Sequence, residues 1–118
     1  MTCIKVLMNF QNEIKLHHWG TPSYAEHKAL GKLYEGLDPL VDQFAEMYFG
    51  TKGKDEIQEI DNLRLNGPSR ISINSVLNSF EDFLIQELPK ETNHSSLLNI
   101  RDEMLGMVQQ TKYLLTLS

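Results

Sequence analysis

Histidines and carboxylates recur between His17 and Glu46 at spacings that suit metal chemistry. His17-His18-Trp19 precede a Gly-Thr-Pro-Ser bend, His27 follows it, and Asp42 and Glu46 stand fifteen and nineteen residues beyond His27. Imidazole and carboxylate together suit borderline or hard cations such as iron, zinc or manganese. Near a buried face such groups cost free energy unless they are paired or metal-bound. Asp42 and Glu46 are four residues apart, so on a helix they would share one face and could share one ion. His27 would lie about 22 Å from Asp42 along the same helix, at a rise of 1.5 Å per residue. One rod cannot bring its two ends together, so a site common to these residues must form between two chains.

Each residue also has a plainer role. His17 and His18 sit where a helix C-terminus would favour an imidazolium. His27 could be a hydrogen-bonded core histidine, Asp42 and Glu46 a solvated face, and Trp19 a packing residue. Composition narrows the field without deciding it. The 118 residues suit one domain, residues 1–118, with 41% hydrophobic and 23% charged residues, and that balance is ordinary for a soluble globular chain. A net charge of −5 with no Lys/Arg run opposes a nucleic-acid binder. Cys3 is the single cysteine, which excludes an intrachain disulfide and a Cys-rich zinc site. The N-terminus shows no signal-peptide pattern and no stretch approaches a membrane span, which predicts a cytoplasmic protein with no membrane partner.

The elements that must position these groups read as helices. Ile4, Leu7, Phe10, Ile14 and the His17/His18 pair recur at helical spacing and predict a first helix from Cys3 to Trp19. Ser23 is the expected cap of a second helix from Tyr24 to about Tyr48, with a stripe of His27, Leu30, Tyr34, Leu37, Val41, Phe44 and Tyr48. Gly36-Leu37-Asp38-Pro39 would break it by local rules, but the stripe keeps its phase and favours one kinked helix. The segment from Gly50 to Arg70 is irregular, with room for a short helix after Asp55. A third helix is expected from Ser72 to Leu88, stopped by Pro89, and a fourth from Thr92 or Ser95 to the end. Short, long and short connections predict an all-α, ferritin-like four-helix bundle with one long crossover between the second and third helices.

The chain resembles the Dps-type mini-ferritins. The likeness is carried by His18-Trp19, the Pro-containing bend, His27 and Asp42-Gln-Phe-Ala-Glu46, whose offsets from His27 match the family's. The resemblance implies a homo-oligomer, a two-fold dimer at least and a twelve-subunit shell at most. It also implies an iron site, or one for a similar divalent ion, with His18 and His27 from one subunit and Asp42 and Glu46 from the other. Fe(II) oxidation would be the implied activity. The chain departs from the family at Gly31, where an acidic ligand is usual, in a shorter bend that makes His17 a rival to His18, and in lacking a basic tail. Those departures favour the alternative of a metal-free helical adaptor that kept the fold. It resembles more closely a set of short phage-encoded proteins that share the His-Trp pair and the ending from Tyr113 to Leu117, which implies a location in the host cytoplasm.

Overall fold

The computed structural model describes residues 3–117, and every element among them is helical. Helix α1 spans Cys3–Gly20, α2 Tyr24–Lys52, α3 Asp55–Glu59, α4 Ile73–Asp82, α5 Leu88–Glu91 and α6 Ser95–Leu114, with a π-helical turn Phe83–Glu87 joining α4 to α5. Among the described residues no helix is long and apolar enough to cross a membrane. Helix α1 packs against α2 and α4, and α6 packs against α2 and α4.

Local chemistry sets the boundaries. Ser23 caps α2, its hydroxyl accepting the Glu26 N–H at 3.2 Å, and Ser72 caps α4 by accepting the Ser75 N–H at 3.1 Å. Helix α2 ends at Gly53, whose φ of 85° belongs to the left-handed region, and its N–H returns to the Phe49 carbonyl at 2.8 Å. Between those caps α2 runs unbroken through Pro39, as the phase of its stripe predicts. Gly36 serves the packing and does not end a helix. A Cβ there would fall 2.2 Å from Met107 Cε, so the glycine lets α6 approach α2.

The core is the inner stripe of each long helix. From α2 it takes Leu30, Leu33, Leu37, Val41, Phe44 and Tyr48, so Leu33 lies fully inside while Tyr34 and His27 are half-buried at its edge. Phe44 belongs to one apolar cluster with Leu7 and Ile14 of α1, Phe80 and Leu84 of the third rod (α4, the π turn and α5, Ile73–Glu91), and Met104 of α6. Each such side chain contributes about 1.5–3 kcal/mol by leaving water.

Pro89 does not stop the third rod, which continues to Glu91. In a regular α-helix its ring would meet the carbonyl four residues back. The π turn relieves that clash by shifting the bonding to five residues, with the Leu88 N–H on the Phe83 carbonyl. The next donor in that register is Pro89, which has no N–H, so the Leu84 carbonyl is left over. Arg101 of α6 fills the vacancy with its Nη1 at 2.9 Å.

The connection from α2 to α4 is fastened along α1. Glu56 accepts the Ile4 N–H at 3.2 Å and the Tyr48 hydroxyl at 2.9 Å, and Lys5 pairs with Asp61 at 3.8 Å. Further on, Glu13 accepts the Asn66 N–H at 2.8 Å. Pro68 then closes on Gly20, where a Cβ would come within 2.7 Å of its ring. The segment thus travels beside α1 from its first turn to its last.

Candidate functional site

His18, His27, Asp42 and Glu46 lie along one side of the α1–α2 pair. On α1 the row is Ile4, Met8, Gln11, Lys15 and His18 with Trp19; on α2 it is Tyr24, His27, Gly31, Tyr34, Asp38, Asp42, Ala45 and Phe49, both at three-to-four-residue steps. Contacts across the helix pair align the two rows. His18 meets His27, Lys15 Nζ lies 4.1 Å from the Tyr34 ring centre and 5.3 Å from that of Trp19, and Gln11 donates to Asp38 at 2.7 Å.

His18 and His27 form a reciprocal clasp. Their rings stack with centres 3.9 Å apart and planes 14° from parallel. The Nδ1 of His18 lies 2.6 Å from the His27 carbonyl, and the Nδ1 of His27 lies 2.7 Å from the His18 carbonyl. A carbonyl only accepts, so each Nδ1 carries the proton. In the neutral rings each Nε2 is therefore a free lone pair, the tautomer that backbone carbonyls impose on metal-binding histidines. The rings border a pocket of about 370 Å³ that Tyr24, Lys28, Gly31, Lys32 and Glu35 complete.

Gly31 acquires a physical meaning here. A Cβ at that position would sit 2.8 Å from Cε1 of His18. The His18 ring lies where a side chain would be, so an acidic residue at 31 and this ring placement exclude each other. Of the two adjacent histidines it is His18 that turns toward His27. His17 points elsewhere, buried in a cleft of about 190 Å³ with Thr21, Glu26 and Pro68. Its Nε2 has no partner among the described residues. Burial pushes its pKa below the usual imidazole value, against the pull of Glu13 and Glu26.

Asp42 and Glu46 are both exposed at the far end of the row. Asp42 raises the Glu46 pKa above the usual carboxylate value, through side-chain hydrogen bonding first and mutual repulsion second. Asp42 also edges a groove of about 500 Å³ whose apolar walls include Ile4, Met8, Val41, Ala45 and Phe49. The structure thus unites His18 with His27 and Asp42 with Glu46, but the two pairs stay apart within a chain. Among the described residues no cluster of three or more His, Cys, Asp or Glu side chains could hold a metal ion.

Two features of this face escape a reading of single residues. Trp19, expected to pack, is 66% exposed. Lys28 and Lys32 border the histidine pocket, a placement that the four-residue steps Tyr24, Lys28 and Lys32 carry in the sequence.

The chain belongs to the Family of unknown function (DUF5856), whose model matches residues 18–115. That span opens at His18 and takes in the whole histidine and carboxylate face of α2. The chain is similar to the "Uncharacterized 14.6 kDa protein in mobD-ri intergenic region" of Enterobacteria phage T4, 31% identical over 113 residues, 95% of this chain and 84% of the relative. No solved structure matches. A phage relative therefore stands beside this chain, and the mini-ferritin likeness rests on its residues alone.

Proposed function

We propose that the protein is a ferritin-like oligomer that takes up iron or a similar divalent ion between two-fold-related copies, in the host cytoplasm of a phage. The fold part of this reading is supported by the neighbour pattern. Helix α1 touches α2 and the third rod, α6 touches the same two, and the segment fastened along α1 returns the chain to the end where α2 began. Such a neighbour pattern supports a four-helix bundle with one long crossover.

The observation that carries the function is the histidine clasp. Two imidazoles with Nδ1 committed to main-chain carbonyls offer two oriented Nε2 donors, neither of which is hydrogen-bonded among the described residues. Asp42 and Glu46 of a second copy would supply the oxygen donors, and two-fold symmetry makes two such sites per dimer. Two nitrogens and two carboxylates suit iron, zinc or manganese. With Fe(II) as substrate, the carboxylates would stabilise the higher charge reached when an electron passes to dioxygen or peroxide. His18 and His27 orient the ion, and Lys28 and Lys32 would balance excess carboxylate charge.

Those lysines also favour a second reading. Lys28 and Lys32 beside the clasp could neutralise a partner's Asp42 and Glu46 with no ion present, leaving a metal-free adaptor held by ion pairs. One pair of measurements separates the two. Protein purified without chelator is analysed for metals alongside its mass in solution, then titrated anaerobically with Fe(II) before oxygen is admitted. The metal reading expects bound iron and oxidation that Asp42→Ala/Glu46→Ala abolishes. Uptake unchanged in that double variant removes the assignment, and a metal-free dimer selects the adaptor.

A further inference from the structure

The face that carries the clasp is unlike at its two ends. At one end the exposed side chains Trp19 and Tyr24 project among Lys15, Lys28 and Lys32. At the other an apolar groove of about 500 Å³ opens beneath Asp38 and Asp42, with Glu46 one turn on. Bulky aromatic groups with cations thus stand at one end, and an apolar recess with anions at the other. A surface of this kind fits a second copy of itself turned end for end, because a two-fold contact sets each patch against its complement twice.

We infer that two copies pair across the outer faces of α1 and α2, each seating its Trp19 in the groove of the other. The spacing supports the match. An axis crossing α2 near Glu35 and Gly36 lies midway between His27 and the Asp42–Glu46 pair. Trp19 ends α1 beside the start of α2, close to the level of Tyr24 and His27. Reflection through that axis sends this level to residues near Ala45, inside the groove. The same turn sets Lys28 at the level of Asp42 and Lys32 near that of Asp38, so apolar anchor and charge agree on one register. Aromatic anchors in desolvated pockets, ringed by polar contacts, are the usual source of interface affinity.

The inference rests on the two-copy part of the reading above and needs no metal. Trp19 is the chain's single tryptophan, so its fluorescence reports the contact directly. Sedimentation of the full-length protein is followed across a dilution series, with emission wavelength and acrylamide quenching measured on the same samples, with and without chelator. The expected result is a dimer whose indole emission is blue-shifted and shielded, reverting on dilution to monomer. Trp19→Ala and Ala45→Arg should each weaken the dimer at least about thirtyfold, the effect of one interface hot spot, with circular dichroism confirming that each variant remains folded. A dimer whose indole is fully quenchable, a chain monomeric at every concentration, or a dimer that both variants leave intact overturns the inference. A shielded dimer that takes up no added Fe(II) keeps it and removes the metal reading; bound metal with an exposed indole does the reverse.

Discussion

The two ends of the α1–α2 pair carry the same kind of cargo, a pair of titratable side chains, and treat it in opposite ways. At the start, His18 and His27 are half-buried, stacked, and tied by two hydrogen bonds to main chain. At the far end, Asp42 and Glu46 stand in water with only each other as partners. The imidazoles are held by the fold, while the carboxylates sit on it. The first pair therefore contributes to the monomer's stability as well as to any ligand, and the second is free to serve a partner.

Substitutions that compare what lies on α2 with what lies beneath sharpen this contrast. Phe44 is fully buried directly under the acid end, and Phe44→Ala should destabilise the chain by about 3–5 kcal/mol in urea denaturation. Asp42→Ala/Glu46→Ala, on the same turns but facing water, should leave the urea midpoint close to that of the wild type. A large loss in the double variant would show the carboxylates to be structural and would break the comparison.

The histidine end gives the next largest effect and a reversal of sign. Gly→Ala within a helix normally stabilises by about 0.5–1 kcal/mol. At Gly31 the new methyl would meet the His18 ring at 2.8 Å, and that ring cannot swing aside without releasing its bond to the His27 carbonyl and its stacking on the His27 ring. Gly31→Ala should therefore destabilise by about 1–3 kcal/mol. In a His18→Ala background the obstacle is gone, and the same substitution should become stabilising. A thermodynamic cycle on the four proteins reads this coupling, and additive effects would mean the clasp does not hold.

What the sequence could tell follows from the range of the forces involved. Periodicity is local, so the stripe of α2 and its Ser23 cap were readable, and continuity through Pro39 followed from phase. The π turn was not readable, because the rod survives Pro89 only with Arg101 on the Leu84 carbonyl, seventeen residues away. Gly31 was legible as a missing ligand but not as the seat of His18, since that needs the crossing of two helices. Trp19 looked like packing because an apolar residue on a helix does not announce which face has a neighbour. The pairing of His18 with His27 was implied by the mini-ferritin resemblance alone, while the choice of His18 over His17 depended on the rotation of α1.

His17 extends the contrast to pH. It is buried with its pKa depressed below the ordinary 6.5, so between those values the unfolded chain binds more protons than the native one. Its contribution is present above pH 6.5 and is lost as pH falls through the native pKa. His17→Gln should flatten this acid-side decline in a series of urea melts. A decline of unchanged steepness would place its origin in other groups.

Glu46 should give the smallest effect, with the opposite sign. Its pKa is raised above the usual 4.5 by the bond to Asp42, so the native state holds the extra proton in the window just above that value. The shared proton helps below pH 4.5, and the help is lost as pH rises through the native pKa and the two carboxylates come to repel each other. Because Glu46 is fully exposed, salt should erase the residual repulsion, whereas the buried His17 should respond to salt far less. Glu46→Gln should abolish the alkaline-side loss at low ionic strength and leave the His17 limb untouched. If added divalent ion reverses that loss in wild type, the carboxylate pair answers to a cation as a ligand does; if only monovalent salt does so, the pair is simply a solvated face.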